Sequence, residues 1–295
     1  MSLKNLFNTM KSEGIVLPRL DRYLLTQKDE SENHSHGYTS PSGIHSCVRS
    51  QMYRMMGERK DGSPAPRLRR IFDVGHKIHD LIQGYLKDEG ILLLDEAPVY
   101  SSTYKVMGHT DGILKINSMS LGILEIKSIN SDGYKGLLQA KEEHIRQANV
   151  YMLCMEELRE KVNRAKTKMH FLNIKKGILR EYEEFLNTFV VGGGKFTKEQ
   201  KVAFKLKIMS NVIDLMYKYQ KKIDTIVFLY MNKDTQEIKE FISYWDDEIV
   251  AEIKERCAYI DSFRQENVLA NRPQEATGKS CSFCRYCDYK TACFK

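Results

Sequence analysis

Three residues at short spacing carry the most chemistry in this chain: Asp111, Glu125 and Lys127. Residues 104–116 and 121–127 read as two strands, with Val106, Ile113, Leu114 and Ile116 apolar in the first and a hairpin-length turn at 117–120 between them. Strand alternation puts Glu125 and Lys127 on one side and Leu124 and Ile126 on the other. A carboxylate and an amine inside an apolar strand are costly to bury unpaired. Asp111, on the neighbouring strand, brings a second carboxylate to the same place. Two converging carboxylates repel each other, and a divalent cation relieves them; hard oxygen ligands favour magnesium or manganese over zinc. Such an ion polarises a phosphoryl oxygen and lowers the pKa of its water. Lys127 is then placed to orient that water or to neutralise developing charge. An isolated Asp…Glu-x-Lys is more often an edge-strand ion pair, so the elements around it decide the reading.

Two helices are expected to flank this hairpin. One spans about 68–88, with Ile71, Val74, Ile78 and Ile82 as its apolar stripe and Gly75 and His79 in its middle. His79 sits beside the stripe, where a histidine is ordinarily structural but here could add an imidazole to the metal. The other spans about 137–158, with Ile145, Ala148, Met152 and Met155 at buried spacing. Gln147 and Tyr151, four apart, share a neighbouring face and could position DNA or the lysine beside the metal. Cys154 continues that face as a small buried hydrophobe.

Elsewhere the chain supplies packing and charge. Residues 1–27 read as short helices, and 28–41, with His34 and His36, as a polar loop. Ser42 reads as the N-cap of a helix to about Met56 that carries Cys47 in its first half. From Cys47 to Arg70 the cations Arg49, Arg54, Arg59, Lys60, Arg67, Arg69 and Arg70 face only Glu58 and Asp61. Residues 159–222 hold sixteen Lys/Arg against six acidic residues, a net of +10, and read as a basic helical insertion split by Gly192–Gly194. Both stretches could grip phosphates, with Lys175, Lys176 and Arg180 as contacts in the second, or could simply be solvated faces. A second hairpin (226–231 with 237–244) and a helix (246–265) that buries Cys257 follow, with Trp245 packing between them.

Composition bounds the class. The 295 residues are 42% hydrophobic and 29% charged, with a net charge of +7, an ordinary globular balance compatible with a polyanionic partner. No apolar run is long enough to span a membrane, and the N-terminus lacks the apolar core of a secretory signal. A cytoplasmic protein without membrane association is therefore expected. In that setting Cys281, Cys284, Cys287 and Cys293 read as metal ligands rather than disulfides, with a four-thiolate zinc site and an iron–sulfur cluster both open.

Together these features resemble the RecB-like branch of the PD-(D/E)xK nucleases, in its iron–sulfur group with the CRISPR-associated adaptation exonucleases and AddB-type nuclease domains. The motifs appear in order: Gly75-x-x-x-His79, the Gly108-x-x-Asp111 aspartate, Glu125-x-Lys127 and Gln147-x-x-x-Tyr151. An N-terminal Cys47 and a terminal Cys284-x2-Cys287-x5-Cys293, with Tyr289 inside it, follow the cluster signature. The resemblance implies an α/β nuclease core with a mixed central sheet, assembled from 47–158 and 223–280. It implies a metal held by His79, Asp111, Glu125 and a backbone carbonyl near Ile126, with Lys127 catalytic. It also implies a 4Fe–4S cluster on Cys47, Cys284, Cys287 and Cys293 that latches the helical 1–46 side to the 281–295 tail. Such proteins mostly degrade DNA from its ends, several of them 5′ to 3′ on single strands, in bacterial, archaeal or phage-infected cells. Two departures are the extra length of 159–222 and the surplus Cys281. No Gly-x-x-x-x-Gly-Lys-Ser/Thr loop is present, so a helicase would be a separate partner, as would a recombinase or a CRISPR adaptation protein. The rival readings are a DNA-end-binding scaffold of the same fold that does not cut, and a zinc-ribbon DNA-binding module.

Overall fold

Alternating and continuous apolar runs become five strands: β1 (Leu92–Ser101), β2 (Val106–Lys115), β3 (Leu121–Ile129), β4 (Thr225–Asn232) and β5 (Ile238–Tyr244). The structure is a computed structural model that describes residues 16–26, 37–62, 65–190, 196–266 and 268–295. The strands form one mixed sheet in the order β1-β2-β3-β4-β5. β1, β2 and β3 pair antiparallel, β3 and β4 pair parallel, and β5 returns antiparallel on β4. The β2–β3 hairpin is closed by Ile116 and Asn117, whose amides both donate to the Ser120 carbonyl. A parallel β3–β4 pair needs a long crossover, and the chain spends α4 (Ser131–Lys135), α5 (Glu142–Asn163), α6 (Lys168–Phe189) and α7 (Lys198–Lys218) on it, numbered after three helices that precede β1.

Those three are α1 (Leu17–Thr26), α2 (Val48–Met55) and α3 (Pro66–Asp88), and α8 (Asp247–Glu266) and α9 (Lys290–Cys293) close the chain. The sheet buries both faces, so β3 and β4 are apolar on both sides. One face, with Ile113, Ile123, Phe228 and Tyr230, packs on Val150, Met152, Met209 and Ile213 of the crossover helices. The other, with Leu114, Leu124, Ile126, Val227 and Leu229, packs on Ile78 and Ile82 of α3. Leu124 and Ile126 thus face away from Glu125 and Lys127, as alternation requires. Helices α6 and α7 carry most of residues 159–222, and their buried Phe171, Tyr182, Val202 and Val212 belong to the same core as the sheet.

Local expectations shift at four places. The helix expected from Ser42 is a 3-10 turn (Pro41–Gly43) followed by α2, and Cys47 stands at the N-cap of α2 with ψ 122° rather than inside a helix. The helix expected from 137 starts at Glu142 because Lys141 is extended (ψ 141°), and the short α4 fills part of the interval. In α3 only Ile78 and Ile82 of the expected stripe are buried, while Ile71 is half-buried and Val74 is exposed. Strand β1 had no counterpart in the sequence reading. His34, His36 and Gly192–Gly194 lie outside the described residues, as does most of 1–27 apart from α1.

The two ends of the described chain are knitted together. Val48, Met52 and Met55 of α2 pack on Ile260 and Ala270. Arg256 donates to the carbonyls of Ile44 (3.2 Å) and Ser46 (2.7 Å), Arg49 to that of Ala270 (2.7 Å), and the Asp61 amide to that of Asp288 (2.7 Å).

Candidate active site

Asp111 sits where β2 leaves β3, one residue beyond the Gly112↔Leu124 pair. Its Oδ2 accepts the Ile126 amide at 2.5 Å, so the carboxylate stands in for the next rung of the ladder. Its Oδ1 lies 3.2 Å from Nδ1 of His79 on α3. One turn further along α3, buried Gln83 donates to the Asp111 carbonyl (2.8 Å) and to Oε1 of Glu96 on β1 (3.1 Å). His79, Glu96 and Asp111 each offer an atom within 4.8 Å of the others, and among the described residues theirs is the cluster of metal-ligand geometry. Glu96 has φ +45°, a left-handed backbone that a non-glycine residue adopts at a cost. Strain at the residue that completes a polar cluster is a mark of a working site.

Glu125 is buried, and its Oε1 accepts Lys127 Nζ at 2.5 Å, while Oε2 makes no well-formed hydrogen bond among the described residues even with the Tyr151 hydroxyl nearby. Burial raises the Glu125 pKa, and Asp111 adds to the rise against the opposing charge of Lys127. An orphaned carboxylate oxygen beside Asp111 fits a cation shared with that acid, and Glu125 itself lies outside the group formed by His79, Glu96 and Asp111. Burial opposes charge on His79, but the hydrogen bond and charge of Asp111, with Glu125 and Glu96, outweigh it and raise its pKa.

Helix α5 covers the opposite side. Gln147 Nε2 donates to the Tyr151 hydroxyl at 2.5 Å, and Tyr151 is buried. Burial first, then the Glu125 charge, holds its phenol protonated well above the usual range. His144, one turn before Gln147, places Nδ1 2.6 Å from the Tyr230 hydroxyl, and Tyr230 pairs with Lys127 across β3 and β4. Burial and the charge of Lys127 push its pKa down to about 3, so the imidazole is neutral beside the lysine.

The structure therefore brings together His79, Asp111, Glu125, Lys127, Gln147 and Tyr151, with Ile126 joined through its amide. Sequence reasoning missed Glu96, Gln83 and His144. A signal for Glu96 existed: Asp95 and Glu96 interrupt the apolar run 91–99 just after Gly90, the outline of a strand with a polar centre. The expected DNA contacts are scattered. Arg49 and Arg54 bind Ala270 and Ser40, Arg70 pairs with Asp21, and Arg67 is exposed. Lys175 pairs with Asp214 at 2.6 Å and Arg180 with Glu184 at 3.7 Å, while Lys176 is exposed.

At the junction of the two ends, a hollow of about 660 Å³ is lined by Cys47, Cys284, Cys287 and Cys293, with Tyr53 and Tyr289 among its walls. Cys281 is not in that lining. Burial, then a hydrogen bond with Cys281 and the charges of Cys281, Cys287 and Cys293, push the Cys284 pKa up to about 11.

Comparison with known proteins then adds a family. A model of the PD-(D/E)XK nuclease superfamily matches residues 86–294, a range that contains Glu96, Asp111, Glu125, Lys127, Gln147, Tyr151 and the tail cysteines; His79 and Cys47 precede it. No curated protein matches significantly. Among solved structures, an alkaline exonuclease (LHK-Exo) from Laribacter hongkongensis is similar at 11% identity and a TM-score of 0.45, over 81% of this chain and 94% of that one. The protein SSO0001 is similar at 14% identity and a TM-score of 0.42, over 95% of this chain and 96% of that one.

Proposed function

The chain belongs to the PD-(D/E)XK nuclease superfamily, and on that premise we propose that it is a metal-dependent DNA exonuclease acting on single-stranded ends. The observation that carries the reading is the convergence of His79, Glu96 and Asp111 beside a salt-bridged Lys127 and a buried Glu125, one of whose oxygens has no hydrogen bond among the described residues. His79, Glu96, Asp111 and Glu125, with the backbone near Ile126, would hold magnesium or manganese. When bound, that ion supplies a polarised phosphoryl oxygen and a water of lowered pKa. Lys127, aimed by its contact with Glu125, would place its amine where negative charge gathers on the phosphorus oxygens. Gln147 fixes the Tyr151 hydroxyl, and buried Tyr151 excludes water from the Glu125 side.

The four thiols around the hollow fit an iron–sulfur cluster. The space exceeds what a single ion needs, and Cys47 and the tail reach it from opposite ends of the chain. The cluster's part is structural, tying α2 to the tail. Cleavage polarity would follow the 5′ to 3′ direction implied by the family resemblance. Recombination, repair or CRISPR adaptation would supply the ends, and any helicase would be a separate protein.

The test is degradation of end-labelled single-stranded DNA with and without magnesium or manganese. Cleavage should need the metal and stop on chelation. Lys127→Ala should lose at least about 100-fold in rate, the scale of removing one preorganised charge, and should melt somewhat lower because buried Glu125 loses its partner, while circular dichroism shows it still folded. Cleavage at the normal rate by Lys127→Ala would sink the assignment.

A further inference from the structure

We propose that Lys205 and Phe204 of α7 form a nucleotide subsite on the rim of the metal centre, Lys205 binding a DNA phosphate next to the scissile one and Phe204 stacking on its base. The inference rests on the nuclease reading and deepens it. A second hollow, of about 170 Å³, lies between α7 and the β1–β2 pair, and Glu96, Pro98, His109, Tyr182, Phe204 and Lys205 are among its walls. Glu96 is thus shared, with one side toward His79 and Asp111 and the other toward this hollow.

Lys205 is half-buried and makes no hydrogen bond or ion pair among the described residues. Burial works against its charge and lowers its pKa, Glu96 on the shared wall opposes that and Lys201 adds to it. A half-buried ammonium without a direct partner is costly. Once Glu96 gives its charge to a cation, Lys205 loses its one favourable neighbour as well. An anion arriving together with the metal restores the balance, and a DNA phosphate is that anion. Beside it, Phe204 is 64% exposed, a large aromatic face turned to solvent from a helix whose opposite side is core. A cation next to an exposed ring at the mouth of a groove is how proteins hold unstacked single strands.

This places the DNA-facing part of the basic segment at Lys205, whereas Lys175 and Arg180 are engaged by Asp214 and Glu184. The experiment measures steady-state cleavage, and binding in a Lys127→Ala background, with single-stranded and duplex oligonucleotides. Lys205→Gln should raise KM about tenfold with kcat within about twofold, and lower the salt slope of binding by about one. Phe204→Leu should weaken single-strand binding about tenfold and duplex binding much less, and Phe204→Trp should restore it. Lys207→Ala, exposed two residues along α7, serves as the control for a general charge effect. Wild-type protein that neither binds nor cuts DNA would remove the nuclease reading. Wild-type cleavage with KM, salt slope and strand preference unchanged in Lys205→Gln and Phe204→Leu would overturn the subsite alone.

Discussion

Glu96 is the residue that most changes the picture of the site. It sits on an edge strand with a strained backbone, and Gln83 spans from its carboxylate to the Asp111 carbonyl. Glu96→Ala should therefore remove a ligand and raise the magnesium concentration needed for half-maximal cleavage. Gln83→Ala should act indirectly, by loosening the Glu96 carboxylate and the Asp111 backbone, with metal affinity falling about 10–100-fold, as for other groups that orient ligands. A metal titration by calorimetry separates the two from folding defects, and unchanged affinity in both variants would exclude Glu96 from the site. Glu125 tells the complementary story. Its buried, partly unsatisfied carboxylate is a liability in the metal-free fold, so Glu125→Gln should abolish cleavage while keeping or raising the melting temperature of the metal-free protein. A large fall in that temperature would show the carboxylate to be structural.

At the scale of elements, the site depends on how closely β1 approaches β2. Gly112 lies opposite Asp95, and a Cβ there would collide with the Leu92 side chain and sit 2.9 Å from the Leu94 carbonyl oxygen. Gly112→Ala should force the two strands apart. The expected cost is about 1–3 kcal/mol, the usual scale of overpacking. Because β1 carries Glu96 and β2 carries Asp111, metal affinity should fall with it. Denaturant unfolding and a metal titration on the same variant check both halves, and a loss of stability with intact affinity would separate the strand contact from the site. Helix α3 contributes in the same way. Its Ile78 and Ile82 are fixed against the sheet, and that anchorage aims His79 and Gln83 at the carboxylates.

At the scale of the whole molecule, the two ends meet at the cysteine-lined hollow, where α2, the 270s and the tail share hydrogen bonds and apolar contacts. A cluster held by Cys47 and the tail would close the long loop between them and restrict the unfolded chain, although that gain grows slowly with length. Anaerobically purified protein is expected to be brown. Cys47→Ser should lose iron, melt lower and become protease-sensitive, whereas Cys281→Ser should keep most of its iron, since Cys281 does not line the hollow. Iron and sulfide analysis of the two variants decides it, and the reverse pattern would reassign the ligands without touching the nuclease site.

The residues legible from sequence alone are those whose placement follows from local geometry. Period-two alternation put Glu125 and Lys127 on one side of β3, hairpin length set β3 beside β2 and hence Asp111 near Glu125, and helical spacing put Gln147 and Tyr151 on one face of α5. Each of these relations acts within a few residues or across one tight turn, so pattern suffices to find it. The order of the motifs and of the tail cysteines was legible only through the resemblance to a known family. Tertiary structure decided everything that joins distant segments: that Glu96 on the unread β1 completes the cluster, that Gln83 bridges it, that Tyr230 and His144 back Lys127, and that Lys205 arrives at the rim from the crossover. Those contacts depend on how helices dock on a sheet whose β3 and β4 are parallel neighbours separated by four helices. Burial then raises the pKa of Glu125 and Tyr151 and lowers that of His144, and apolar spacing does not show how deeply such a polar neighbour sits.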